Sequence, residues 1–241
     1  MTWEQLTRAG HGALRINPER ALASAAATVH LVPLAYSEIR RAAVDFPVVL
    51  VKDGETGQFY PAALMGLAPH ENLFWDGAGL DAGHVPLNLA RVPFGLGGAD
   101  LGSAVVCIDT ASPALCGPDE GQPILDADGH DSHYITGIQQ ILGELAAQVP
   151  VTRAFVEALV GQRLVVPLRL DVALEDGSSS VLEGLYGLDE AALGAVLAAV
   201  SDPGHAMTLA AMALSLDRVG ALVRRKNARA AAAAAWFGPA A

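Results

Sequence analysis

The sequence predicts an α+β fold in which antiparallel hairpins form a sheet covered by helices, with a helical C-terminus. Three observations carry this. First, two apolar stretches each reverse at an Asp-Gly pair: Val48–Val51 into Phe59–Met65 across Asp53-Gly54, and Leu164–Leu174 into Val181–Tyr186 across Asp176-Gly177. Glycine supplies the positive φ that a tight reversal needs, so apolar runs flanking Asp-Gly read as hairpins. The first has a loop longer than two residues. Second, Tyr134–Ala147 places Ile135, Ile138, Ile141, Leu142 and Leu145 at intervals of three and four, the spacing of a helix with one buried face. Third, the apolar runs in Val48–Met65 and Val105–Ile108 are too continuous for a sheet with a solvated face. They are expected in one sheet with helices over it.

The elements follow in order. Residues 1–30 form an irregular lead-in, with Asn17-Pro18 as a turn, and His30-Leu-Val-Pro33 is extended because a residue before proline is pushed out of the helical region. Ser37 opens a short helix through Val44 that ends before Pro47. The first hairpin comes next, then a loop at Ala68–Asn72, a third short strand at Leu73–Trp75 and a glycine-rich turn. A helical turn is expected within Val85–Ala90, and Ala104–Asp109 reads as a buried strand. The helix from Tyr134 is broken by Pro150, and Thr152 caps a second helix through Val160. After the second hairpin, Asp189 caps a helix to about Val200, and a last helix runs from Ala206 to Lys226 and on into the alanines. No Pro-, Ser- or charge-rich linker divides the chain. One domain is expected over residues 1–229, with an Ala-rich tail over 230–241. The two hairpins share an Asp-Gly turn followed by a Gly-Leu pair, which fits either duplication or convergent turn chemistry.

Composition narrows the function. Apolar residues are 52% of the 241 positions and charged residues 17%, which excludes a disordered chain. The net charge of −11 repels phosphate backbones and argues against nucleic-acid binding. The one basic cluster, Arg224-Arg225-Lys226 with Arg229, reads as a last helical turn facing the negative end of the helix dipole. Two cysteines, Cys107 and Cys116, form no disulfide scaffold and read as free thiols in a reducing compartment. The N-terminus shows no Sec signal pattern, and stretches such as Met207–Leu216 are too short or too weakly apolar to span a bilayer. A cytoplasmic protein without membrane insertion is expected. So much apolar residue with so little charge also predicts a homodimer.

Read in order, the landmarks resemble the SapC family of bacterial proteins. The residues that carry the resemblance are His30-Leu-Val-Pro33, Phe46-Pro-Val-Val-Leu-Val-Lys52, Ala63–Leu67, Glu71-Asn-Leu-Phe74, Val85-Pro86, Arg91-Val-Pro-Phe94, Cys107-Ile-Asp109, Gly121–Asp126, Gly184-Leu-Tyr186 with Asp189-Glu190, and Ser215-Leu216 running to Arg225-Lys-Asn227. The ordered set is specific where no single motif is. Ala35-Tyr-Ser-Glu38 and the Ala-rich tail depart from it. The resemblance implies a stand-alone domain without an established reaction. Many members are encoded near TonB-dependent receptors, tryptophan-halogenase-like proteins and cupin-like oxygenases, which implies an accessory role in surface uptake or in tailoring. The family name alone supports a surface-layer component.

Four residues are candidates for binding. Glu71 and Asn72 lie on a short loop, Phe74 offers an apolar wall or fills the core, and Asp109, at the end of its strand, is the nearest second carboxylate if the strands are neighbours. The alternative for Asn72 is a structural turn residue. His130 and His133, three apart with Asp126, Asp128 or Asp109 nearby, suggest a transition-metal site and hence a metal-dependent oxidative or tailoring enzyme. The competing explanation is an acidic turn with Asp131 or Ser132 capping the helix, and it leaves no metal and no cofactor assigned. Asp126–Asp131 also resembles a calcium loop, but an EF-hand wants glycine at its sixth position and an oxygen ligand at its fifth, where this stretch has glycine at the fourth and histidine at the fifth. There is no Gly-x-Ser-x-Gly elbow, phosphate loop or dinucleotide fingerprint. The favoured function is therefore a non-catalytic binding or accessory protein with a small-molecule or protein partner.

Overall fold

The computed structural model describes residues 2–98 and 101–237. In chain order the strands are β1 (Trp3–Gln5), β2 (Arg15–Ile16), β3 (Leu31–Pro33), β4 (Val48–Lys52), β5 (Phe59–Leu64), β6 (Phe94–Gly97), β7 (Val105–Asp109), β8 (Leu115–Cys116), β9 (Gln122–Pro123), β10 (Val165–Ala173) and β11 (Ser179–Leu188). The helices are α1 (Arg8–His11), α2 (Pro18–Ala26), α3 (Ile39–Asp45), α4 (Leu87–Ala90), α5 (His133–Gly161), α6 (Glu190–Ala199), α7 (Pro203–Ser215) and α8 (Val219–Phe237). The fold is α+β, with antiparallel sheets and a long C-terminal helix, as the sequence predicts. The chain resolves into two compact units. One takes Met1–Ala27, Trp75–Leu80 and Leu87–Val149; the other takes Thr28–Phe74, Asp81–Pro86 and Pro150–Ala241.

The first unit holds two three-stranded antiparallel sheets, ordered β1-β7-β6 and β8-β2-β9. Its core joins Ile16, Phe94, Ile108 and Ile124 to Ile135, Ile138 and Leu142 of α5, the face the periodicity marks. Asn17-Pro18 is a helix start. Asn17 Oδ1 accepts from the Arg20 N–H at 3.0 Å, and Pro18 occupies the first helical position, where a missing N–H costs nothing. The expectation that β7 shares a sheet with Val48–Met65 is corrected: β7 pairs with β1 and β6. Nor is it buried throughout, since only Ile108 is fully enclosed. One face of this sheet meets the core and the other does not, so a continuous apolar run did not mean two covered faces.

Tyr134 packs edge-on to Phe94, with ring centroids 6.3 Å apart. Burial pushes its phenol from an ordinary value near 10 up to about 12. The neutral form is favoured in the fold, so its contribution is complete below pH 10 and is lost as pH rises through about 12. Stability measured by urea titration should fall across that window, and Tyr134→Phe should flatten the fall.

The second unit is built on one antiparallel sheet, ordered β10-β11-β4-β5-β3. Both expected hairpins are present and adjacent, joined by the pairs Leu185↔Val51 and Tyr186↔Leu50. Their turns differ in spite of the shared Asp-Gly. In the first, Gly57 and not Gly54 takes the positive φ, at 69°; in the second, Gly177 does so directly after Asp176, at 83°. Helices α3 and α7 pack together, with Ile39, Ala42, Leu209 and Met212 buried. Ser215 of α7 ties helix to sheet: its Oγ accepts the Val48 N–H at 2.8 Å and donates to the Met212 carbonyl at 2.6 Å. Asp189 caps α6, as expected, by accepting from the Ala191 N–H.

Four further expectations are corrected. Leu73–Trp75 is no strand: Leu73 and Phe74 are a turn, because Asn72 Oδ1 takes the Phe74 N–H that a ladder would use, and Trp75 forms an isolated bridge with Leu80. Pro150 does not break the helix: α5 continues through it to Gly161. Proline removes one bond, which the turns on either side outweigh. Thr152 caps nothing, and its Oγ1 instead accepts the Tyr36 N–H at 3.0 Å. Finally, Pro203–Ala235 forms a helical run of 33 residues, long and apolar enough by length and composition to cross a membrane. In this structure Leu209, Met212 and Leu222 of that run are buried. Of the expected tail 230–241, residues up to Phe237 continue α8, and 238–241 lie outside the described residues.

Candidate functional site

After β5 the chain turns back on itself at Gly66. A Cβ there would stand 2.0 Å from the Glu71 carbonyl oxygen, so only glycine lets the two backbones approach so closely. His70 takes a left-handed φ of 61° to complete the turn. The returning arm of the loop is pinned where the Leu73 N–H donates to the Met65 carbonyl at 2.8 Å.

Each candidate on this loop has a definite place. Glu71 Oε2 accepts the Leu67 N–H at 2.8 Å, and its Oε1 lies 3.1 Å from Lys226 Nζ. Both side chains keep 23% of their surface exposed. Asn72 is buried. Its Oδ1 accepts the Phe74 N–H at 2.8 Å, and its carbonyl accepts Arg229 Nη1 at 2.8 Å. Phe74 is buried edge-on to Phe46 at 4.6 Å, and the Arg225 guanidinium carbon lies 4.4 Å from its ring centroid. Arg225 also reaches Asp81 at 2.7 Å. The hairpin closing onto this region adds Ser180 Oγ, donating to the Leu67 carbonyl at 2.7 Å, and the Glu175 N–H, donating to Asn227 Oδ1 at 3.2 Å.

The basic cluster is therefore not a last turn. Helix α8 runs well past it, and Arg225, Lys226 and Arg229 clamp the loop through one ring face, one carboxylate and one carbonyl. Sequence reasoning named Glu71, Asn72 and Phe74 but missed these three and Asp81. Their helical spacing marks a shared face, but nothing local marks what that face touches.

The carboxylate of Asp176 is held below its ordinary range chiefly by hydrogen bonds from Ser178, with the charge of Lys226 as a smaller cause. His30 is depressed by burial first and by the charge of His70 second.

Asp109 belongs to the first unit, where its Oδ1 accepts the Thr2 N–H at 2.7 Å and the Ala111 N–H at 3.2 Å. The metal grouping of His130, His133 and Asp109 does not form. Among the described residues the three-ligand group is Asp126, Asp128 and His130, all exposed, with ligand atoms within 4.8 Å of one another. Asp126 Oδ1 there accepts the N–H groups of Asp128 and His130. Ser132 caps α5 by accepting the Ile135 N–H at 3.2 Å while donating to the Pro123 carbonyl. These are the contacts of an acidic turn leading into a helix.

The Glu71 carboxylate of the loop and the Lys226 ammonium of α8 lie side by side, an arrangement suited to recognising a polar group. Asn72→Ala would leave the buried Phe74 N–H without its acceptor. It should cost about 1–3 kcal/mol in urea unfolding, marking Asn72 as the residue that shapes the loop.

No curated protein matches this chain, and no solved structure does. The SapC family model matches residues 6–222, nearly the whole sequence, and the chain belongs to the SapC family.

Proposed function

We propose that this protein is a non-catalytic binding or accessory member of its family, and that it recognises a small polar molecule or a protein partner through the loop at Glu71, Asn72 and Phe74. The observation that carries the reading is the Glu71–Lys226 pair, largely enclosed and 3.1 Å apart, which joins α8 to a loop whose backbone is tied at Leu67 and Asn72. A preordered pair loses little freedom when a ligand arrives, which is what specific binding of a small polar group requires. Such a ligand carries both an acidic and a basic group, as an amino acid or a chain terminus does. Asn72 and Phe74 serve the site by holding its shape, and Asp109 serves backbone amides of its own unit. The role that fits is an accessory one, in surface uptake or in tailoring. Two free thiols are in keeping with a cytoplasmic location, which cell fractionation tests.

Amide-detected NMR titration with free amino acids and short peptides tests the site. Shifts should cluster at residues 66–74 and 225–229 and vanish in Lys226→Glu, whose fold is checked by circular dichroism. Shifts clustered elsewhere, or undiminished in the variant, overturn the proposal.

A further inference from the structure

Strand β10 closes one edge of the five-stranded sheet, paired with β11 on one side only. At nine residues it is a long edge. Exposed strand edges carry unpaired N–H and C=O groups and serve as templates for another strand. The orientation of those groups can be worked out. The Leu174 N–H donates to the Ser178 carbonyl across the hairpin, and the pairs Val172↔Ser180 and Leu170↔Leu182 keep the same register. Even-numbered residues thus turn their peptide groups toward β11, and Arg169, Asp171 and Ala173 turn theirs outward. The register shift between Leu168 and Leu170 falls opposite Gly184, whose φ is 76°. The extra residue is therefore in β11, and the alternation along β10 is undisturbed. Pro167, which has no N–H, falls at an outward position, where no bond to β11 is lost.

The side chains of this edge are self-complementary. Leu168-Arg169-Leu170-Asp171-Val172 reads with opposite charges on either side of Leu170 and apolar residues beyond them. Placed antiparallel to itself about a two-fold axis through Leu170, the strand sets Arg169 opposite Asp171 of the second copy, and Asp171 opposite its Arg169. Leu168 faces Val172 on the other face. Opposite charges directly across a ladder stabilise it, and like charges oppose it. Arg169 and Asp171 lie on the exposed face, each with more than half of its side chain in solvent. Arg169 already pairs there with Asp171 and with Glu183 of the neighbouring strand.

We infer that two copies of this chain associate through β10, antiparallel about Leu170, to continue the sheet from one molecule into the next. The outward N–H of Arg169 donates to the carbonyl of Asp171 in the second copy, and the outward N–H of Asp171 donates to the carbonyl of Arg169, both repeated by symmetry. This interface is independent of the loop at Glu71, so a failure of either proposal leaves the other standing.

Sedimentation velocity on the full chain tests it. The wild type should sediment as a dimer at tens of micromolar. Arg169→Asp sets like charges across the axis and should be monomeric at the same concentration, with its circular dichroism unchanged. Combining Arg169→Asp with Asp171→Arg restores opposite charges and should restore the dimer. A wild type that is monomeric throughout this range overturns the inference. So does a folded Arg169→Asp that still dimerises, or a double variant that stays monomeric, as it would if the edge took a peptide of other sequence.

Discussion

Gly66→Ala should lower the unfolding free energy by about 3 kcal/mol, at the upper end of what overpacking typically costs. The added methyl would meet the Glu71 carbonyl at 2.0 Å and its carbon at 2.8 Å, and both are backbone atoms that no rotamer change can move aside. Replacing glycine with alanine normally adds about 0.4–1 kcal/mol by restricting the unfolded chain. Here the clash is the larger effect and the sign reverses. Gly54→Ala is the control. Its Cβ would find nothing within 4 Å and its φ is not left-handed, so that variant should match the wild type or exceed it slightly. Urea unfolding of the two variants beside the wild type decides the matter. The Gly66 variant should also loosen Glu71 from Lys226, so its loss in the ligand titration should exceed what its stability alone explains.

Phe46→Ala should cost about 3–5 kcal/mol, as expected for emptying a fully buried aromatic site. Phe46 has no exposed surface, sits at the C-terminus of α3 and meets Phe74 edge-on at 4.6 Å. Part of the loss is the aromatic pair itself, about 0.5–1.5 kcal/mol beyond burial. Phe46→Ala and Phe74→Ala should therefore fall short of additivity when combined. Phe74 also carries Arg225 on its ring, so Phe46 supports the clamp from behind. Thermal unfolding of the single and double variants measures both the size and the coupling. Additive losses would mean that the two rings fill separate spaces.

Local features of this fold were legible because local chemistry decides them. The two hairpins follow from apolar runs around Asp-Gly, the core face of α5 from intervals of three and four, and the start of α6 from Asp189. Other local signals point either way. Asn17-Pro18 is a capping residue followed by a proline at the first helical position, and those two residues alone allow that assignment. Pro150 shows the opposite case: a residue that usually ends a helix is tolerated when the turns on both sides are held in place.

The candidate loop was half legible. Glu71, Asn72 and Phe74 could be named because an acid, an amide and an aromatic follow a turn. Their roles were not, because an Asn side chain that folds onto Phe74 and one that points into solvent have the same sequence. Lys226 lies 155 residues beyond Glu71, and no spacing rule links them.

By itself the sequence determined the α+β class, the hairpins with their glycine turns, the buried stripe of α5 and membership of the family. The hairpins, their turns and the stripe depend on interactions among residues a few positions apart, and the family on the order of landmarks along residues 6–222. Only the tertiary structure decided that β7 pairs with β1, that the basic residues of α8 clamp the loop, and that Ser215 satisfies the first N–H of β4. Each depends on which distant surfaces are buried together, and that choice is made by the free energy of the whole chain rather than by the preference of any segment.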